Sequence, residues 1–136
     1  MSERGSMSVF TVLFSVVVFL LAGLLVDGGS AINARLRAAD VAEQAARAGA
    51  DQIDVDQLRT SGRTRLLGED QVCARADEIV AAQGSDDVTS GDCAIEQGGE
   101  QVTVTVSVRW EAFFLSAIGF PGAEMAGTAT AAPEAR

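Results

Sequence analysis

The sequence predicts an α+β chain. An N-terminal transmembrane helix continues into an amphipathic helix, and a small domain follows in which one or two helices pack on a three-stranded antiparallel sheet. Three observations predict it. Residues 7–26, MSVFTVLFSVVVFLLAGLLV, contain no charged side chain. Small residues then recur at helical spacing along an Ala-rich, Pro-free stretch that ends near Ala50. From Cys93 onward the apolar period changes from helical to two, the period of a strand with one wet face. The segments that follow are a short cytoplasmic N-terminus (1–6), the membrane helix (7–26), a juxtamembrane Ala-rich helix (27–53) and an exported domain (54–136).

At about 1.5 Å per residue, the apolar run makes a helix of roughly 30 Å, the thickness of a bilayer's hydrocarbon core. A chain of 136 residues could not surround a helix that is apolar on every side, so the lipid bilayer is its expected partner. A cleaved signal peptide fits less well. The run exceeds the ~7–15 residues of an h-region, and Asp27-Gly28-Gly29-Ser30 is a poor cleavage signal. Counting by the positive-inside rule mildly favours the opposite orientation, with Arg4, partly offset by Glu3, before the span and Arg35, Arg37 and Arg47 after it. Two cysteines in the C-terminal part favour an exported domain and a cytoplasmic N-terminus.

Gly28-Gly29 is a place where the helix can loosen, and Ser30 is an expected N-cap for the second helical stretch. Ala34, Ala38, Val41, Ala45 and Ala48 form a narrow stripe of small residues. Such a stripe is usually internal packing, but on a tethered helix Ala34, Ala38, Val41 and Ala45 are candidate contacts for a helix-mediated homo- or hetero-oligomer. Glu43–Arg47 and Arg37–Asp40 are spaced as helical ion pairs on the polar side. Asp54 caps a short helix through Leu58 that stops at Ser61-Gly62. A second helix fits 69–83, with Val72, Ala76, Ile79 and Val80 on one face and Gly84 as terminator. Ser85-Asp86-Asp87 and Gly91-Asp92 are expected as loop, without the spacing of an EF-hand.

The first strand is expected from Cys93, joined through Gln97-Gly98-Gly99-Glu100 to the strongest strand in the chain. There Val102, Val104, Val106, Val108 and Trp110 alternate with Thr103, Thr105, Ser107 and Arg109. A weaker third strand fits 124–132. Between them AFFLSAIGFPG gathers Phe113, Phe114, Leu115, Ile118 and Phe120. Core packing is the default for so apolar a connection. A short helix at the sheet edge, or an exposed patch in which Phe113, Phe114 and Phe120 meet a partner or the membrane surface, are the alternatives.

Composition excludes most chemistry. All ten basic residues are Arg, there is no His, Lys or Tyr, and the net charge is −9. A P-loop lysine, a Schiff base, a Ser-His or Cys-His dyad and a His-ligated zinc are therefore out. So much negative charge also argues against a nucleic-acid partner. No catalytic residue, metal ligand or cofactor is expected. Cys73 and Cys93 are suited to a disulfide stapling helix to strand, worth about 3 kcal/mol in the chain-entropy model. In a cytoplasmic domain they would be ordinary buried thiols.

Two stretches resemble the TadE/TadG-like proteins of tight adherence (Flp, type IVc) pilus systems. At the N-terminus the resemblance is carried by Arg4-Gly5 before the apolar run, Asp27 closing it, and the helix through Ala38-Ala39-Asp40 to Ala48-Gly49-Ala50. The valine–threonine strand with a small-residue strand after it is compatible with the same family. The Lys- and His-free composition points to an actinobacterial type. The resemblance implies a non-enzymatic pilin-like component or assembly factor, working with other pilus or secretion-platform membrane proteins. It marks Gly5 and Ser6 as a candidate processing site. Pilin-like members carry a Glu at the fifth mature position, where this chain has Phe10. That departure favours a membrane-retained role over a polymerised subunit. A membrane-tethered module binding a small ligand or envelope polymer beside 113–120 is the alternative function.

Overall fold

The computed structural model describes residues 3–96 and 98–134, with the side chains of Glu3 and Arg4 excepted. Residues 1 and 2 of the N-terminal segment, the Arg4 side chain and Gln97 of the expected hairpin turn lie outside the described residues. The element order is α1 (Glu3–Ala50), α2 (Val55–Ser61), α3 (Glu69–Ala81), β1 (Val88–Ile95), β2 (Val102–Glu111), a 3-10 turn (Leu115–Ile118) and β3 (Gly122–Ala131). The three strands form one antiparallel sheet in the order β1-β2-β3.

Helix α1 runs unbroken for 48 residues, straight through Gly28-Gly29. Two interior glycines cost about 1 kcal/mol each against alanine, too little to stop a helix that is packed on its C-terminal side. Ser30 is accordingly no N-cap. It sits inside the helix, and its hydroxyl donates to the Asp27 carbonyl at 2.8 Å. The two halves of α1 live in different surroundings. From Gly5 through Ala22 every residue is exposed, whereas Ala38, Val41, Ala42, Ala45, Ala46 and Ala50 belong to the core.

That core is built from alanines of α1, valines of β2, and Val72, Ala76 and Val80 of α3, with Ile79 packed at its margin. Val102, Val104, Val106, Val108 and Trp110 point inward along β2, as the alternation predicts. On the outer face Thr103–Thr130 and Thr105–Thr128 hydroxyls pair across β2 and β3 at 2.8 and 2.9 Å. Small side chains set the depth of packing. A Cβ on Gly127 of β3 would lie 2.3 Å from the Ala39 nitrogen and 2.5 Å from the Ala38 carbonyl carbon, so strand and helix meet backbone to backbone.

Shorter elements follow their local signals. Asp54 caps α2 by accepting the Gln57 N–H at 3.0 Å, and Gly62 ends it at φ 68°. Gly84 adopts φ 64° beyond α3. Strand β1 departs from expectation by starting at Val88, five residues before Cys93, and by absorbing Gly91-Asp92. An irregularity in its pairing with β2 between Ser90 and Cys93 takes up these residues, and Gly91 fits where a Cβ would meet the Thr105 carbonyl oxygen at 3.0 Å. Strand β3 starts at Gly122 rather than at 124, pressed so close to Trp110 that a Cβ would stand 2.0 Å from its carbonyl oxygen.

Candidate functional site

The residue whose placement most needs explaining is Asp27. Its side chain is the one buried charged group of the described residues, at 0% exposure, and it ends the apolar run. A carboxylate withdrawn from water needs hydrogen-bond donors to replace those it leaves behind. Asp27 finds them in the β2–β3 connection. Its Oδ1 accepts the Phe113 N–H at 2.9 Å, and its Oδ2 accepts those of Phe114 at 2.9 Å and Leu115 at 2.7 Å. The first amides of a helical turn have no partner within the turn, and here a side chain from another element supplies one. Charge-assisted bonds of this kind are about twice as strong as neutral ones.

Two neighbours on the same face of α1 extend the junction. Gly23, four residues earlier, lies against Phe114 so closely that a Cβ there would be 2.9 Å from the Phe114 Cβ and Cγ. Ser30, three residues later, accepts the Trp110 indole N–H at 2.7 Å. Gly23, Asp27 and Ser30 thus continue toward the N-terminus the face that carries Ala34 and Ala38. Sequence reasoning missed this function of Asp27. A signal was present, since the i, i+4, i+7 spacing puts Gly23, Asp27 and Ser30 in register with the small-residue stripe, but spacing alone names no donor for the carboxylate.

The aromatic connection does not enter the core. Phe113 and Ile118 are 76% and 72% exposed, Phe114 and Phe120 about half. Phe113 packs edge-on against Phe114 with centroids 5.0 Å apart, and Phe120 tilts against Trp110 at 6.1 Å. Where α1 meets β3 at Gly127 the two backbones are in contact, and the core there is filled by alanine and valine rather than rings. Of the stripe, Ala38, Val41 and Ala45 are buried within the chain and Ala34 packs against that core. Gly5 and Ser6 lie in the first turns of α1 and are exposed.

Other polar groups serve local structure. Arg37 does not pair with Asp40. It reaches Asp87 at 2.9 Å and the Ser85 hydroxyl at 2.8 Å, tying α1 to the approach to β1, because the fold lays that acidic loop beside the helix. Glu43–Arg47 does form, as spaced. Cys73 of α3 and Cys93 of β1 are joined in a disulfide with Cα atoms 5.9 Å apart. Among the described residues no group of three or more His, Cys, Asp or Glu is placed to hold a metal. A depression of about 660 Å³ lies between α1 and β3, lined by Glu43, Arg47, Asp51, Thr128 and Thr130 among others. It is an open trough, with the Glu43–Arg47 ion pair on its wall. The junction of α1 with residues 110–120 fixes an apolar turn against one level of a long helix.

Residues 5–52 match the model of the putative Flp pilus-assembly TadE/G-like family. The matched segment is essentially α1, from its exposed apolar half through the half that forms the core. No curated protein and no solved structure matches the chain.

Proposed function

From the match of residues 5–52 to the TadE/G-like Flp pilus-assembly family model, we propose a non-enzymatic, membrane-anchored component or assembly factor of a Tad/Flp-type pilus or a related secretion machine. The observation that carries this reading is the division of α1. Its N-terminal half is long and apolar enough to cross a membrane and makes almost no contact with the rest of the chain, while its C-terminal half is the central helix of a folded domain. An apolar helix left bare on all sides is unstable in water and at home in lipid.

The anchor holds the N-terminus in the cytoplasm and the α+β domain outside the cell. The Cys73–Cys93 disulfide supports that orientation, because such bonds persist in oxidising compartments. Phe10, standing where pilin-like relatives use a Glu, favours a subunit that stays in the membrane beside the machine. Its partners are other pilus or secretion-platform membrane proteins, reached through the bilayer-embedded half of α1 and the exposed surface of the domain.

The experiment is deletion in the native host combined with crosslinking of the tagged full chain in intact membranes. Loss of surface pili and recovery of pilus-platform proteins are expected. Unchanged piliation together with no platform protein crosslinked would overturn the proposal. Intact mass of the membrane-purified protein checks processing: a membrane-retained factor keeps residues 1–5, whereas their removal would make it a candidate filament subunit.

A further inference from the structure

The 113–120 turn is apolar and exposed, and its first three amides are bonded to Asp27. We propose that it inserts into the outer leaflet of the bilayer beside α1, so that the domain is held against the membrane surface at a fixed height and rotation. The inference rests on the membrane-anchored reading of α1 and adds a second point of lipid contact.

Depth is the first observation. Phe114 lies against Gly23, which belongs to the apolar run and stands about 6 Å closer to its N-terminal end than Asp27, at about 1.5 Å per residue. A turn that touches the helix at Gly23 reaches the level at which α1 is itself in hydrocarbon or its boundary. Leu24 and Leu25, which follow Gly23 in α1, are exposed as well.

The second observation is the accounting of backbone polar groups. Irregular backbone is expensive at membrane depth unless its N–H groups are bonded within the protein. Asp27 takes those of Phe113, Phe114 and Leu115. The Ala117 N–H donates to the Phe114 carbonyl at 3.1 Å, the Gly119 N–H to that of Ser116 at 3.1 Å, and the Phe120 N–H to that of Leu115 at 3.0 Å. Even the Ser116 hydroxyl turns back, donating to the Phe113 carbonyl at 2.8 Å. Bonds made within the protein leave these groups satisfied where no water is at hand. The third observation is chemical. Residues 113–120, FFLSAIGF, carry no charge in a chain of net charge −9, and the large side chains of Phe113 and Ile118 are the ones it leaves most open. Apolar rings with a polar underside are suited to the interface between headgroups and acyl chains.

The test uses the full chain in phosphatidylcholine–phosphatidylglycerol vesicles. Both native cysteines are locked in the disulfide, so a single added cysteine can be labelled selectively with a nitroxide. The sites are Phe113→Cys, Ile118→Cys, Leu13→Cys within the apolar run, and Arg63→Cys on the exposed loop after α2. Collision with dissolved oxygen, which concentrates in lipid, is compared with collision with a water-soluble nickel chelate. Labels at 13, 113 and 118 are expected to favour oxygen, and the label at 63 the nickel chelate. Lipid exposure at 13 with water exposure at 113 and 118 would overturn this proposal and leave the anchor standing. Water exposure at 13 would overturn both. Labels at 113 and 118 shielded from both reagents would mean that a second copy covers the turn, which also overturns it. Photoactivatable phospholipid carrying a diazirine on its acyl chain provides the same test on the unsubstituted chain: adducts are expected in 113–120 as well as in 7–26, and adducts confined to 7–26 would refute lipid insertion of the turn.

Discussion

The Leu115 amide nitrogen lies 2.7 Å from Oδ2 of Asp27, a residue 88 positions earlier in the chain. A single buried carboxylate, at the level where the exposed half of α1 gives way to the packed half, thereby fixes the connection between β2 and β3.

Removing that acceptor leaves three amides without their partner. Asp27→Ala is expected to destabilise the domain by about 3 kcal/mol or more, and Asp27→Asn, which keeps one carbonyl oxygen, by about 1–2 kcal/mol. Thermal unfolding in detergent micelles measures the loss. Hydrogen exchange localises it, with the amides of Phe113, Phe114 and Leu115 accelerated first and those of β2 protected until global unfolding.

Two glycines should answer the same substitution with opposite signs. Gly127→Ala forces a Cβ into the Ala38–Ala39 backbone and is expected to cost about 1–3 kcal/mol by overpacking. Gly28→Ala meets nothing within 4 Å inside a continuous helix and is expected to gain about 0.5–1 kcal/mol. Melting temperatures of the two variants in one detergent check the contrast. Equal effects would mean that α1 and β3 are not in backbone contact.

Opening the Cys73–Cys93 bond, which closes a loop of sequence separation 20, should cost about 3 kcal/mol. Reduction or Cys93→Ser lowers the denaturant midpoint to that extent. Alkylation of protein purified without reductant should add no mass, and alkylation after reduction should modify both thiols.

The Arg37–Asp87 pair is a tether of modest strength. Both side chains are about 40% exposed, so solvent screens the charge and Arg37→Ala should cost no more than about 1 kcal/mol. The deficit should shrink further at high salt. A deficit of several kcal/mol, independent of salt, would show that the guanidinium is held in a dry site.

Features that depend on neighbours along the chain were legible in the amino-acid order. The apolar run needs only composition, the α2 cap needs only Asp54 and the amide of Gln57 three residues on, and the β2 alternation needs only a period of two. Cys73 and Cys93 could be named as partners because the chain has no third cysteine. The remaining features exist only once distant segments meet. Packing carried α1 through Gly28-Gly29, where burial of the following half outweighs a small local cost. It sent Arg37 to Asp87 rather than Asp40, put β1 five residues earlier than its apolar pattern shows, and left the phenylalanines of the β2–β3 connection outside the core. The function of Asp27 belongs to the same class. A carboxylate accepts whichever amides the fold brings to it, and the amides that come to Asp27 are 86 to 88 residues away, a distance over which local spacing carries no information.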